Sequence, residues 1–232
     1  MPHRAITMLS NSAASTMVQA RRGRPPKDGR QRIDTRSELI QSGLAVLTEK
    51  GFVMSGIDLI LKQVRVPKGS FYYYFASKEA FGLAVIDSYA SFFAHKLDKH
   101  LLNDAFLPLE RIEQFAQSAI EAMARFEFNR GCLVGNLGQE VDQLPESFRP
   151  VLIDIFASWQ LRLQQCLDAA IDAGQVAATA NTQQLAEFFW IGWEGAVSRA
   201  RLVKSAAPLR HYVDCFIAGL PVDKTLDQIN SL

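Results

Sequence analysis

The chain of 232 residues is 48% hydrophobic and 21% charged, ordinary proportions for a globular protein large enough to bury a sizeable core in one or two domains. Its net charge of +1 hides an asymmetry: residues 1–75 carry 12 Lys and Arg against 5 Asp and Glu, and the remainder carries 13 against 19. A basic end facing a polyanion and an acidic body facing solvent are therefore expected. Cys132, Cys166 and Cys215 are too few and too scattered for a disulfide framework or a metal pattern, which favours a reducing cytoplasm. No run reaches the roughly 18 apolar residues of a membrane span, the first residues lack a secretory leader, and no cofactor motif is present.

Residues 1–20 are rich in Ser, Ala and Thr without periodicity and read as disordered. Over 21–36 the cations Arg21, Arg22, Arg24, Lys27, Arg30, Arg32 and Arg36 face only Asp28 and Asp34. Proline and glycine keep Arg22-Gly23-Arg24-Pro25-Pro26-Lys27 extended. The segment resembles an AT-hook core. Such an arm either enters the narrow minor groove of A·T-rich DNA through Arg22 and Arg24 or stays a solvated tail adding general attraction. Thr35, with Glu38 three residues on, makes a capping box for a helix whose apolar face is Ile40, Leu44 and Leu47 and which Gly51 ends.

A short apolar helix over 55–64 carries Ile57, Ile60, Leu61 and Val64 at helical spacing, and Arg65-Val66 forms a tight turn. Pro67 then suits the first position of another short helix, in which Phe71 and Phe75 share a buried face and Tyr72 and Tyr73 point outward. Helix, tight turn and helix with a basic, polar N-terminus is the helix-turn-helix layout, whose second helix enters the major groove. Ser77 caps a long helix reaching about Leu102. Its first turn holds Lys78 where an acid is usual, which a phosphate would explain.

That long helix has two apolar stripes, Phe81, Val85, Tyr89 and Phe92, and Ile86, Phe93, Leu97 and Leu101, as expected of a rod buried on two sides. A helix from Leu107-Pro108 breaks at Asn129-Arg130-Gly131, and a short one follows from Cys132 to Val141. Three more are expected from Pro145 to Gly174, from Thr182 to Lys204 and from Pro208 to Gly219. No useful strand-like alternation and no internal repeat occurs, so the predicted architecture is all-α.

The ordered residues Gly51-Phe52, Ser55, Lys68-Gly69-Ser70, Tyr72, Tyr74-Phe75 and Ser77-Lys78-Glu79 resemble the DNA-binding domain of the TetR family of bacterial repressors. Tyr73 is a departure, the family commonly having histidine there. The resemblance implies a basic arm over 1–34, a DNA-binding domain over 35–79, and a ligand-binding and dimerisation domain over 80–232. It also implies a regulator that binds a palindromic operator as a homodimer and is released by a small molecule. Lys68, Lys78, Tyr72 and Tyr73 would hold phosphates, Gly69 would allow close approach, Ser70 would reach a base edge, and Ser55 and Gly56 would anchor the first short helix.

Family members pair through the last two helices. Here Gly192, Gly195 and Ala196 form a small-residue face, and Leu209, Val213, Phe216 and Leu220 form an apolar seam. The seams pair copies or bury within one chain. Phe115, Trp159, Trp190 and Trp193 line a pocket or pack the core. Gly131-Cys132-Leu133-Val134-Gly135-Asn136-Leu137 resembles a motif of the branch that includes repressors released by electrophiles and an acrylate-responsive one. Cys132 is then a sensing thiolate, favoured by helix amides and a nearby cation, or a structural cysteine. For a carboxylate effector, Tyr89, Trp190, Trp193 and Arg199 are candidate donors. An activator of the same fold, an architectural DNA-binder using the arm, and a cysteine-dependent enzyme are the alternatives. The enzyme lacks a suitably placed partner among His3, His95, His100 and His211.

Overall fold

The computed structural model describes residues 35–223, so the arm with Arg22 and Arg24 lies outside the described residues. Among the described residues the chain forms helices and no strand: α1 Thr35–Lys50, α2 Ile57–Val64, α3 Lys68–Tyr74, α4 Lys78–Leu101, α5 Pro108–Ala124, α6 Leu133–Gln139, α7 Phe148–Asp172, α8 Thr182–Val203 and α9 Ala207–Ala218. A 3-10 turn, Val141–Gln143, follows α6. No described helix is long and apolar enough to cross a membrane.

The apolar periods of α1 to α3 close on one small core. Phe71 is fully buried and Phe75 nearly so, and the Phe71 ring lies 5.1 Å from that of Phe81 at the start of α4. The turn between α2 and α3 is made by Arg65, whose left-handed backbone (φ 58°) returns its N–H to the Leu61 carbonyl. Ser77 caps α4 as its sequence position suggested, its hydroxyl accepting from the Ala80 N–H at 3.0 Å.

Several boundaries move by a few residues, two of them for evident local reasons. The first short helix starts at Ile57 because the Ser55 hydroxyl turns inward to the Gly51 carbonyl, leaving Gly56 as an extended cap. Farther on, α5 ends at Ala124, well before Gly131, because Glu127 (φ 51°) and Phe128 (φ 55°) adopt the left-handed conformation and Phe128 N–H folds back to the Met123 carbonyl.

Below this head, α4, α5, α7, α8 and α9 pack around an aromatic centre in which Phe93 lies 4.4 Å from Trp159 and Trp159 lies 5.1 Å from Trp190. As its two stripes suggested, α4 serves both cores, with Phe81, Val85 and Ile86 buried near one end and Leu97 and Leu101 near the other. Gly82 lets two rings meet across α4: an added Cβ would stand 2.6 Å from Phe52 and from Phe148, whose rings are in edge contact at 4.9 Å.

The end of α1 is tied to the body by polar bonds. The Thr48 carbonyl accepts from Asn136 Nδ2 (3.0 Å) and from the Gly131 N–H (3.3 Å), and Glu49 O accepts from Arg201 (3.0 Å). Glu140, just past α6, accepts from the N–H groups of Phe52 (2.9 Å) and Val53 (3.0 Å). The first three bonds satisfy carbonyls that a helix C-terminus leaves open, and all of them fasten the head to the elements around α6.

Candidate nucleic-acid interface and ligand cavity

The N-terminal face of α3 is open. Tyr72 is 52% and Tyr73 82% exposed, and an added Cβ at Gly69 or Gly56 would meet nothing within 4 Å. Ser70 is half-buried. Lys68 rests its ammonium on Asp58 at 3.2 Å, both side chains well exposed, a pair worth about 0–1 kcal/mol and readily exchanged for a phosphate.

Two of the residues expected on this face are engaged elsewhere. Ser55 is fully buried, with its hydroxyl spent on Gly51. Lys78 is partly buried: its ammonium donates to the Phe52 carbonyl at 2.8 Å and lies 4.3 Å from the centre of the Phe52 ring. Desolvation lowers its pKa while Glu140 works against that. The unusual lysine in the first turn of α4 is thus accounted for by a carbonyl and a carboxylate of the chain itself.

A cavity of about 330 Å³ opens between α1, α4, α5 and α8. Its walls are apolar over Leu44, Phe92, Phe93, Met123, Phe126 and Val197, with Cys132, Tyr89, Glu194, Lys96 and Arg130 as the titratable groups. Of the expected ligand contacts, Cys132, Tyr89 and Trp193 line it. Phe115, Trp159 and Trp190 do not; each is 1% exposed and packs the aromatic centre. The Trp190 N–H is buried there without a partner. Arg199 lies on a separate surface groove with Arg201 and Lys204.

Of the two readings of Cys132, sensing thiolate or structural cysteine, its surroundings do not favour a standing thiolate. Its sulfur caps α6 with a single amide, that of Gly135 at 3.4 Å. The neighbouring cations are turned away: Arg130 stacks on the Phe126 ring at 4.0 Å, and Arg201 bonds Asn136 and Glu49. Burial and the Glu194 carboxylate push the Cys132 thiol well up, so it is held neutral. Burial lifts Tyr89 too, and it raises Glu194 to about 7. Cys166 is buried with its thiol on the Pro108 carbonyl, while Cys215 is exposed.

Sequence reasoning missed Glu194, the one acid in the apolar stretch from Phe188 to Val197. That isolation was the available signal, since a carboxylate on a buried helix face requires a partner or a purpose.

The expected pairing seam also closes within one chain. Leu209, Val213, Phe216, Leu220 and Ala196 are all buried. Gly192 receives the Tyr212 ring, whose hydroxyl donates to the Phe189 carbonyl at 2.7 Å. Only Gly195 of that set is exposed and open. The outward face of α8 instead shows Phe188, Ile191 and Leu202.

An exposed helix-turn-helix beside an apolar cavity is the layout of a DNA-binding transcriptional regulator. Residues 39–85 match the family described as bacterial regulatory proteins, tetR family, and residues 108–216 match the tetracyclin repressor-like C-terminal domain. Transcriptional regulator AcuR of Cereibacter sphaeroides is 45% identical over 208 residues, 90% of this chain and 94% of that protein. The repressor DhaR of Mycobacterium sp. strain GP1 is 30% identical over 82% of this chain and 93% of its own. A regulatory protein TetR from Rhodobacter sphaeroides superposes with a TM-score of 0.79 at 47% identity, covering 80% of this chain and 98% of that one. Reduced NemR of Escherichia coli does so at 0.73 and 27%, covering 83% and 100%. The chain belongs to the TetR family of transcriptional regulators.

Proposed function

We propose that two copies of this chain bind a near-palindromic operator and repress transcription. In this reading a small molecule entering the cavity beside Cys132 releases them, an electrophile or an unsaturated carboxylate such as acrylate being the ligand class. The observation that carries it is the cavity's position: Gln41, Leu44 and Thr48 of α1 form part of its wall. An occupant therefore bears directly on the first helix of the head, and through Gly131 and Asn136 on the carbonyls that end it. Pairing uses the outward stripe of α8, Phe188, Ile191, Gly195 and Leu202, spaced so that they share one face.

Two-fold pairing sets the recognition helices about 35 Å apart, one turn of B-DNA. Footprinting on the DNA upstream of the regulated gene is expected to protect one site with two half-sites at that spacing, and sedimentation to give two chains per site. A single protected half-site bound by one chain would overturn the pairing, and uniform protection of A·T-rich DNA would favour the architectural reading.

A further inference from the structure

We infer that Glu194 is the proton acceptor for Cys132 in a covalent conjugate addition, so that the cavity carries a Cys–Glu dyad selective for α,β-unsaturated carbonyl compounds. The inference rests on the reading of the cavity as the effector site. Both side chains line the same cavity, with the Cys132 thiol within hydrogen-bonding reach of the Glu194 carboxylate and of the Tyr89 hydroxyl. Gly135 makes the approach possible: the Glu194 Oε2 occupies the space that a Cβ at 135 would fill, one turn from the Cys132 sulfur that accepts from the Gly135 N–H. The other oxygen of Glu194, Oε1, is shut off from solvent and has no hydrogen-bond partner. An unpaired carboxylate oxygen in an apolar site is costly unless it serves a ligand or a proton.

The dyad answers the problem that the thiol environment poses. No cation or set of amides favours a standing thiolate, yet a neutral thiol adds to an activated alkene too slowly to sense one. With Glu194 alongside, the S–H proton passes to the carboxylate as the sulfur attacks. The S–Cβ bond forms, the alkene π pair shifts toward the carbonyl, and Glu194 returns the proton to the α-carbon. The carboxylate is regenerated and nothing is oxidised or reduced. The titratable groups that act on Glu194 are Cys132 and Tyr89; Lys96 and Arg130 also line the cavity. Lys96 has its own neighbours in Arg125, Glu121 and Lys99. Burial holds Glu194 near 7, where a proton acceptor is most useful at neutral pH.

The test is the rate at which N-ethylmaleimide modifies the Cys132 peptide in the full-length protein. Peptide mass spectrometry separates it from the exposed Cys215, and the wild type is compared with Glu194→Gln and Glu194→Asp across pH. The wild-type rate is expected to rise through about pH 7 and level off. Glu194→Gln should be slower by about 100-fold at neutral pH, its rate climbing steadily into the alkaline range, with Glu194→Asp restoring the plateau in part. Operator binding by each variant reports that it is folded. Equal rates and the same pH profile in the wild type and Glu194→Gln would overturn the dyad alone. Modification of Cys215 with Cys132 untouched in the folded wild type would overturn the dyad and the electrophile reading together. Adduct formation on Cys132 that leaves operator affinity unchanged would retain the dyad and remove the effector reading.

Discussion

Lys68→Ala is expected to weaken operator binding by about 100-fold or more at ordinary salt, while the unfolding midpoint stays where it was. Its ammonium stands at the open start of α3, held only by the exposed Asp58, so its removal disturbs no packing. A charge-assisted bond to phosphate contributes about 1.5–3 kcal/mol, and a two-fold complex loses two. Each phosphate contact adds about 0.9 to the slope of log K against log salt, so the slope should fall by about 2. An unchanged slope would remove Lys68 from the phosphate contacts. Lys78 offers no such clean test. Its bond to the Phe52 carbonyl and its proximity to Glu140 mean that truncating it loosens the head before any DNA arrives.

Trp159→Ala is expected to destabilise the chain by about 3–5 kcal/mol in denaturant unfolding, the range for emptying a buried aromatic site. The indole is 1% exposed and touches Phe93, Phe156 and Trp190. Phe115→Ala belongs in the same range, with Phe115 packed on Trp190 and Trp193. These substitutions separate packing from ligand contact. A Trp159→Ala protein with wild-type stability and a lost ligand response would place that indole on the cavity wall, contrary to the structure.

The parts of this molecule that the sequence disclosed are those set by near neighbours. Phe71 and Phe75 bury because they stand four apart on one short helix, and Ser77 caps because its hydroxyl reaches an amide three residues on. The Lys-Gly-Ser run and the two outward tyrosines follow from the same local periodicity. What stayed hidden depends on partners far along the chain. The lysine opening α4 answers to Phe52 and Glu140, 26 and 62 residues away. The seam Leu209, Val213, Phe216 and Leu220 has the spacing of an interface, and such spacing is silent about whether the facing helix belongs to the same chain. Cys132 has the position of an activated thiol, but only the folded chain shows its two cations turned elsewhere and a carboxylate beside it.

The division of the wall aromatics has the same origin. Trp190 and Trp193 are three apart on α8, close enough in angle that periodicity cannot separate them. Tertiary packing does so, with Trp190 sealed among Phe93, Phe115 and Trp159 and Trp193 reaching the cavity. Glu194 is the most informative residue on that wall, and its meaning depends on Gly135, whose missing side chain leaves it room.

On the proposed function, occupation of the cavity and grip on DNA are linked through α1. The most direct measurement titrates fluorescent operator with the protein, with and without saturating acrylate, and measures acrylate affinity with and without operator. Linkage requires the two ratios to be equal: acrylate is expected to weaken operator binding by about tenfold or more, with operator weakening acrylate by the same factor. Acrylate that stabilises the protein against heat yet leaves operator affinity unchanged would contradict it.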